Sequence, residues 1–260
     1  MGKYIIGLGA HSGSKWLAST LHNPELGICF YHERRGLWTG VTGTRDQILD
    51  GSADFSIPPL NGYVDSVHEL LETYEVVGDF SPWPPYAFPS MNKVLPIDKV
   101  IVILRHGISY LYSCTSHSAW RLRDHDHWGI DKHLRKLWEI TGSEGKPWDR
   151  RTLWEKKCAM WPASLGIVEW LRSEGFTVVA ERLEDLVSDT AILSNMISEV
   201  SSSLNFSDDE LRVIQENDIN RKVPGDRRVA TLWDRWTEAQ QATFIEICGD
   251  GMEKYGYDYK

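Results

Sequence analysis

The sequence predicts an α/β fold, a central parallel β-sheet flanked by helices in a single domain spanning residues 1–260. Two observations carry this expectation. Short apolar, β-branched runs recur at 4–9 (YIIGLG), 28–31 (ICFY), 74–79 (YEVVGD), 99–105 (KVIVILR) and 176–181 (FTVVAE), and longer stretches of helical character separate them. Strands divided by helices need crossover connections, which run the strands parallel and cover both faces of the sheet.

The elements follow in order. The first run ends in a glycine-containing turn and opens into LASTL at 17–21, a helix start. Further helical stretches lie at 64–74 (VDSVHELLETY), over much of 108–140, at 151–173 and at 191–204. SPWPPYAFPS at 81–90 holds four prolines and reads as a stiff loop. With 260 residues and 42% hydrophobic residues, the chain suits one domain with a substantial core.

Composition narrows the partners. A net charge of -9 leaves no broad basic footprint for nucleic acid or an anionic membrane, so any positive charge that matters must be local. Cys29, Cys114, Cys158 and Cys248 are widely spaced with no CxxC pair, which predicts reduced thiols and a cytoplasmic location. The apolar run from Tyr4 to Ala10 is far too short to span a bilayer, so no membrane span is expected. Twelve tryptophans suit a core and a sugar-like or aromatic ligand equally well.

In parallel sheets ligands sit outside the carboxyl ends of the strands, which singles out His11 to Trp16, Asp79 and Arg105. HSGSKW places backbone N–H groups at a helix N-terminus, where an anion is favoured. It is not a triphosphate P-loop: Ser14 separates Gly13 from Lys15, and Trp16 stands where a magnesium-binding hydroxyl belongs. Arg105 ends a strand and Ser113 lies eight residues on, about two helical turns, so guanidinium and hydroxyl can grip one phosphate. Two anion sites in one crevice suggest a donor with phosphate at both ends.

These residues resemble the sulfotransferases that use 3′-phosphoadenosine 5′-phosphosulfate (PAPS). In that family a loop of the form (K/R)-S-G-T-T-W-L binds the 5′-phosphosulfate. The resemblance carries this role onto His11, Ser12, Gly13, Ser14, Lys15, Trp16 and Leu17. A strand-ending arginine and a serine eight residues later hold the 3′-phosphate, implying that role for Arg105 and Ser113. GDFSPWPPYAFPSMNKVLPIDKVIVILR at 78–105 is similar to the carbohydrate sulfotransferase segment in which an acidic residue before a Ser/Thr-Pro step is the catalytic base, which points to Asp79. RKVPGDRR at 221–228 resembles the loop covering the 3′-phosphate and gives Arg221 and Lys222 that role, with WTEAQQATF following as in the family. VVAERLEDLVSD at 178–189 is similar to the V-x-Y-E-D-L strand end. The motifs keep the family's order over most of the chain.

There are departures. His11 occupies the usual Lys or Arg position, Lys15 replaces the second Thr, Leu183 replaces a nucleotide-contacting Tyr, His106-Gly107 replaces Asp/Asn-Pro, and Val223 replaces a loop glycine. One reading is that the loop cation has moved from position 11 to Lys15.

The resemblance implies sulfuryl transfer from PAPS to a hydroxyl or amine of a small-molecule, carbohydrate or lipid acceptor. Charge builds on the bridging oxygen of the leaving phosphate, where each well-placed donor is worth ~3 kcal/mol. Loop N–H groups, Lys15 and His11 suit that task, and Asp79, with His11 second, suits the base. Trp16 has two readings, stacking on adenine for about 1 to 3 kcal/mol or packing its helix. The chemistry calls for no metal, and RDHDHWGIDKH at 123–133, despite His125, His127, Asp131 and His133, lacks a strong motif such as HExxH. The rival functions are a P-loop nucleoside-triphosphate kinase and a non-catalytic nucleotide-binding module. Oligomeric state is left open.

Overall fold

The computed structural model describes residues 2–8, 13–32, 47–48, 51–80, 83–116, 130–141, 146–218 and 226–259. They fall into two compact units, one of Met1–Ile103 with Leu171–Asn220 and one of Leu104–Trp170 with Arg221–Lys260.

The first unit is built on a five-stranded sheet. Its strands are β1 (Lys3–Leu8), β2 (Ile28–His32), β3 (Val76–Phe80), β4 (Ile97–Leu104) and β5 (Val178–Arg182), in the order β2-β3-β1-β4-β5. β1 pairs in parallel with β3 and β4, and β2 pairs in parallel with β3. All five predicted strands are present within a few residues of their expected bounds, and the fold is α/β as the alternation predicts. β3 is buried at all five positions, the continuous pattern expected of a strand covered on both faces.

The chain leaves β1 toward β2 on one side and β4 toward β5 on the other. The carboxyl ends of the adjacent strands β1 and β4 therefore form a topological switch point, where open α/β sheets bind ligands.

Helix α1 (Ser14–Leu21) follows β1 and buries Trp16, Leu17, Ala18 and Leu21 against β2 and β3. Helix α2 (Asn61–Thr73) buries Tyr63, Val64 and Val67 against β1 and β3. The proline-rich stretch differs from its expectation. Beyond residues 81–82, which lie outside the described residues, it forms a 3-10 turn at Pro85–Ala87 and the short helix α3 (Phe88–Met91). Each begins with a proline in its first turn, where the fixed φ suits a helix and no N–H is needed. Helices α7 (Leu183–Ser188), α8 (Thr190–Val200) and α9 (Asp208–Asp218) pack on one another beyond β5.

The second unit contains α4 (Gly107–Ser116), α5 (Ile130–Ile140), most of α6 (Leu153–Ser173), α10 (Asp226–Trp233) and α11 (Glu238–Lys254). Pro162 sits inside α6 and has no N–H for the carbonyl of Cys158, four residues back. The Cys248 thiol of α11 donates to that carbonyl instead, at 3.4 Å, so the vacancy becomes a contact between helices. Cys29, Cys158 and Cys248 are free and buried. Trp16, Trp83, Trp148, Trp161 and Trp233 are core residues, which answers part of the tryptophan question in favour of packing.

α6 opens with a capping box: Thr152 N–H donates to Glu155 Oε2, and Glu155 N–H donates to Thr152 Oγ1. The Lys146 ammonium adds two hydrogen bonds to the same carboxylate. Lys146 first, then the Thr152 N–H, holds the Glu155 carboxyl down to about 2. A carboxyl depressed on folding stabilises the native state above its unfolded pKa and loses that stabilisation as pH falls through the folded value. Urea denaturation of wild type and Glu155→Ala should show a constant difference above about pH 6 that narrows below about pH 4 and fades toward the folded value.

Candidate functional site

The loop after β1 is described from Gly13 onward; His11 and Ser12 lie outside the described residues. Gly13 is the N-cap of α1 with φ of 80°, the left-handed region that glycine alone enters without strain. A Cβ here would also come within 2.7 Å of Leu183 Cδ1 and would require that side chain to shift. Leu183, the replacement for the family's tyrosine, is thus buried against the loop at the start of α7.

A glycine N-cap offers no side-chain acceptor, and the first turn of α1 holds no acidic residue. The early N–H groups and the positive end of the helix dipole are left without a compensating carboxylate. Lys15 is exposed in that first turn. Trp16 is buried, and its indole N–H donates to the Ile214 carbonyl at 3.2 Å, packing α1 against α9. Sequence reasoning missed the neighbour of Ser14: its Oγ is 3.1 Å from Nε2 of His32, the last residue of β2. The available signal was a histidine at the carboxyl end of a strand beside the loop strand.

Asp79 lies one residue before the end of β3, level with Ile6 of β1 and Tyr31 of β2. It is 3% exposed. The Tyr63 hydroxyl donates to its Oδ2 at 3.0 Å, and the Tyr4 hydroxyl lies in hydrogen-bond contact with Tyr63. Since the Tyr63 proton points to Asp79, Tyr4 is the donor to Tyr63, and the chain runs Tyr4 to Tyr63 to Asp79. Burial first, then Tyr4 and Asp79, pushes the Tyr63 hydroxyl well above its ordinary value, so Tyr63 remains a protonated donor. Asp79 is therefore the acceptor of a buried tyrosine chain.

Arg105 directly follows β4 and belongs to the second unit. Its carbonyl accepts the Trp161 indole N–H at 2.7 Å. Ser113 is half-buried, two turns along α4. Between them, the departure at His106-Gly107 has a physical explanation. His106 Nδ1 accepts the Ile108 N–H at 3.2 Å, capping α4 as an Asp or Asn side chain would. With Nδ1 an acceptor, Nε2 carries the proton and donates to the Asp258 carbonyl at 2.7 Å, fastening the C-terminal segment to the start of α4. Gly107 is enclosed: a Cβ there would meet Trp161 at 3.0 Å and Phe244 at 3.1 Å.

Arg221 and Lys222 lie outside the described residues, as do His125 and His127. Asp131 accepts from the Trp148 indole and Lys156, at 3.0 and 2.8 Å, so its carboxylate is committed to packing. Burial pushes His133 down to about 4, which keeps it neutral at ordinary pH. Among the described residues no group of three His, Cys, Asp or Glu side chains is placed to hold a metal ion.

No protein-family model matches the chain, and neither does any curated protein sequence. Solved structures do match. The sulfotransferase domain from the curacin biosynthetic pathway is 13% identical, with a TM-score of 0.52 over 99% of this chain and 98% of that one. The sulfotransferase domain from the Synechococcus PCC 7002 olefin synthase is 15% identical, with a TM-score of 0.52 over 99% and 95%. The chain has the sulfotransferase fold.

The cap geometry yields a measurable expectation. His106→Ala should lose about 1 kcal/mol of stability through the α4 cap, whereas His106→Asn, whose side-chain oxygen can accept the same N–H, should lose less. Chemical denaturation of both variants measures the difference, and equal losses would contradict the capping role.

Proposed function

We propose that the chain is an enzyme, a sulfotransferase that moves a sulfuryl group from PAPS to a hydroxyl or amine of a small-molecule, carbohydrate or lipid acceptor. The observation that carries this reading is the N-terminus of α1, opened by Gly13 and free of acidic residues, at the switch point of a sheet with the sulfotransferase fold. An oxyanion is the ligand such a helix end favours.

In this reading the backbone of Gly13 to Trp16, with Ser12, Ser14 and Lys15, receives the 5′-phosphosulfate. Lys15 is in the first turn and exposed, which suits it to meet the leaving oxygen; His11 is the second cation of the loop. Arg105 and Ser113 take the 3′-phosphate, and Arg221 and Lys222 close over it. Trp16 fixes α1 to α9, the helix that leads toward Arg221.

The transfer is an in-line displacement. The acceptor oxygen or nitrogen forms a bond to sulfur as the bond between sulfur and the bridging phosphate oxygen breaks. The electron pair stays on the departing 3′-phosphoadenosine 5′-phosphate, where α1 and Lys15 stabilise it. The acceptor's proton passes to Asp79, whose orientation is fixed by the Tyr63 hydroxyl. Reduced buried thiols at Cys29, Cys158 and Cys248 favour a cytoplasmic setting. No helix among the described residues is long and apolar enough to cross a membrane.

Thermal denaturation should show stabilisation by 3′-phosphoadenosine 5′-phosphate without magnesium and little by ATP with magnesium. Arg105→Ala should weaken the former and abolish the preference for a 3′-phosphate. Stabilisation by ATP with magnesium alone would instead support the kinase reading.

Asp79→Asn keeps the shape of the carboxyl and should retain nucleotide binding while losing turnover, about a hundredfold or more for a general base. Product formation from labelled PAPS and a metabolite extract supplies the assay. Unchanged turnover would reduce Asp79 to a structural acceptor.

A further inference from the structure

Arg151 in the second unit belongs to none of the roles above. It immediately precedes the Thr152 cap of α6, and the residue is only 9% exposed. Its guanidinium carbon lies 4.2 Å from the centroid of the Trp138 ring. Trp148 stands beside Trp138 with ring centroids 6.4 Å apart, and the Lys156 ammonium lies over Trp148 at 5.3 Å. The result is an aromatic wall carrying two cations.

Arg151 Nε is fully buried and has no hydrogen-bond partner. A guanidinium carries five N–H donors in a planar fork, and stacking on a ring satisfies none of them. Three carboxylates of this unit have partners of their own. Glu155 binds Lys146 and the Thr152 N–H, Asp131 binds Lys156 and the Trp148 indole, and Asp149 binds Arg135. Burial disfavours the charge on Arg151, and the fields of Glu155 and Glu246 only oppose that cost, since neither makes an ion pair with it among the described residues. A buried cation left in this state is destabilising unless something completes it.

We infer that Arg151, stacked on Trp138, is the anchor of an oxyanion-binding site in the second unit. Its ligand class is a carboxylate or sulfate group borne on a planar or apolar body. The guanidinium edge supplies paired N–H donors that match such a group bidentately, and the half-buried Trp138 ring supplies a surface for the body. The inference does not depend on the sulfuryl-transfer reading: it rests on a ring-stacked guanidinium whose Nε is buried without a hydrogen-bond partner.

The test uses the full chain and linkage between binding and stability. Thermal midpoints are measured in sodium sulfate and in sodium benzoate, each against sodium chloride at matched ionic strength. Wild type, Arg151→Met and Arg151→Lys are compared, each also in an Arg105→Ala background that removes the other candidate oxyanion contact. The expected result is an oxyanion-dependent rise in the wild type and in Arg105→Ala. Arg151→Met should lose it, with apparent affinity falling about tenfold or more for the loss of charge-assisted bonds. Benzoate above sulfate would assign the planar body, and the reverse order the bare tetrahedral anion. Arg151→Lys, which keeps charge but loses the fork, serves as the second variant should Met not fold, and it too should show a reduced rise. A rise that survives in the Arg151 variants, or its absence in the wild type, overturns the inference; Arg151 would then be a strut whose partner is Trp138.

Discussion

The turn that joins β1 to α1 depends on one residue held in one conformation. Gly13 adopts a left-handed φ of 80° with Leu183 pressed against it, and this turns the chain from the central strand directly into a helix whose first N–H groups lack a side-chain cap. Because β1 sits between β3 and β4, the uncapped end emerges at the switch point of the sheet. Burial of Trp16, Leu17 and Leu21 fixes the helix on the sheet, and the bond from Trp16 to Ile214 fixes it to α9. The first N–H groups of a helix opened by glycine have no side-chain acceptor from the cap residue, and such a helix end favours an anion.

The start of α4 solves a related problem in a different way. Here the helix N-terminus is closed by its own side chain, since His106 accepts the Ile108 N–H and donates to Asp258. Trp161 holds the carbonyl of Arg105 next door. The backbone that carries Arg105 is thus braced by α6 and by the C-terminal segment. The His106-Gly107 step thus supplies its own cap, and its glycine sits where a Cβ would press on Trp161 and Phe244.

Much of the architecture was legible in the residues. Five β-branched runs became five strands, because this signal is local: it depends on spacing along the chain. The proline-rich stretch was read only partly, since prolines that break a helix interior also begin short helices well. The continuation of α6 through Pro162 was legible only as a long stretch of helical character, and the contact that takes up the abandoned carbonyl, the Cys248 thiol, comes from a residue 86 positions away.

The sequence by itself determined the α/β class, the order of its elements and the residue types that can meet an anion, because periodicity, caps and loop chemistry are properties of neighbours in the chain. Only the tertiary structure decided that Asp79 is buried at the end of a tyrosine chain, that Ser14 lies beside His32, and that Arg151 is stacked on Trp138 with a buried Nε and no anion. Those facts arise from elements brought together by packing, where the cost of burying charge and the need to satisfy each donor depend on what lies across the gap rather than on what comes next in the sequence.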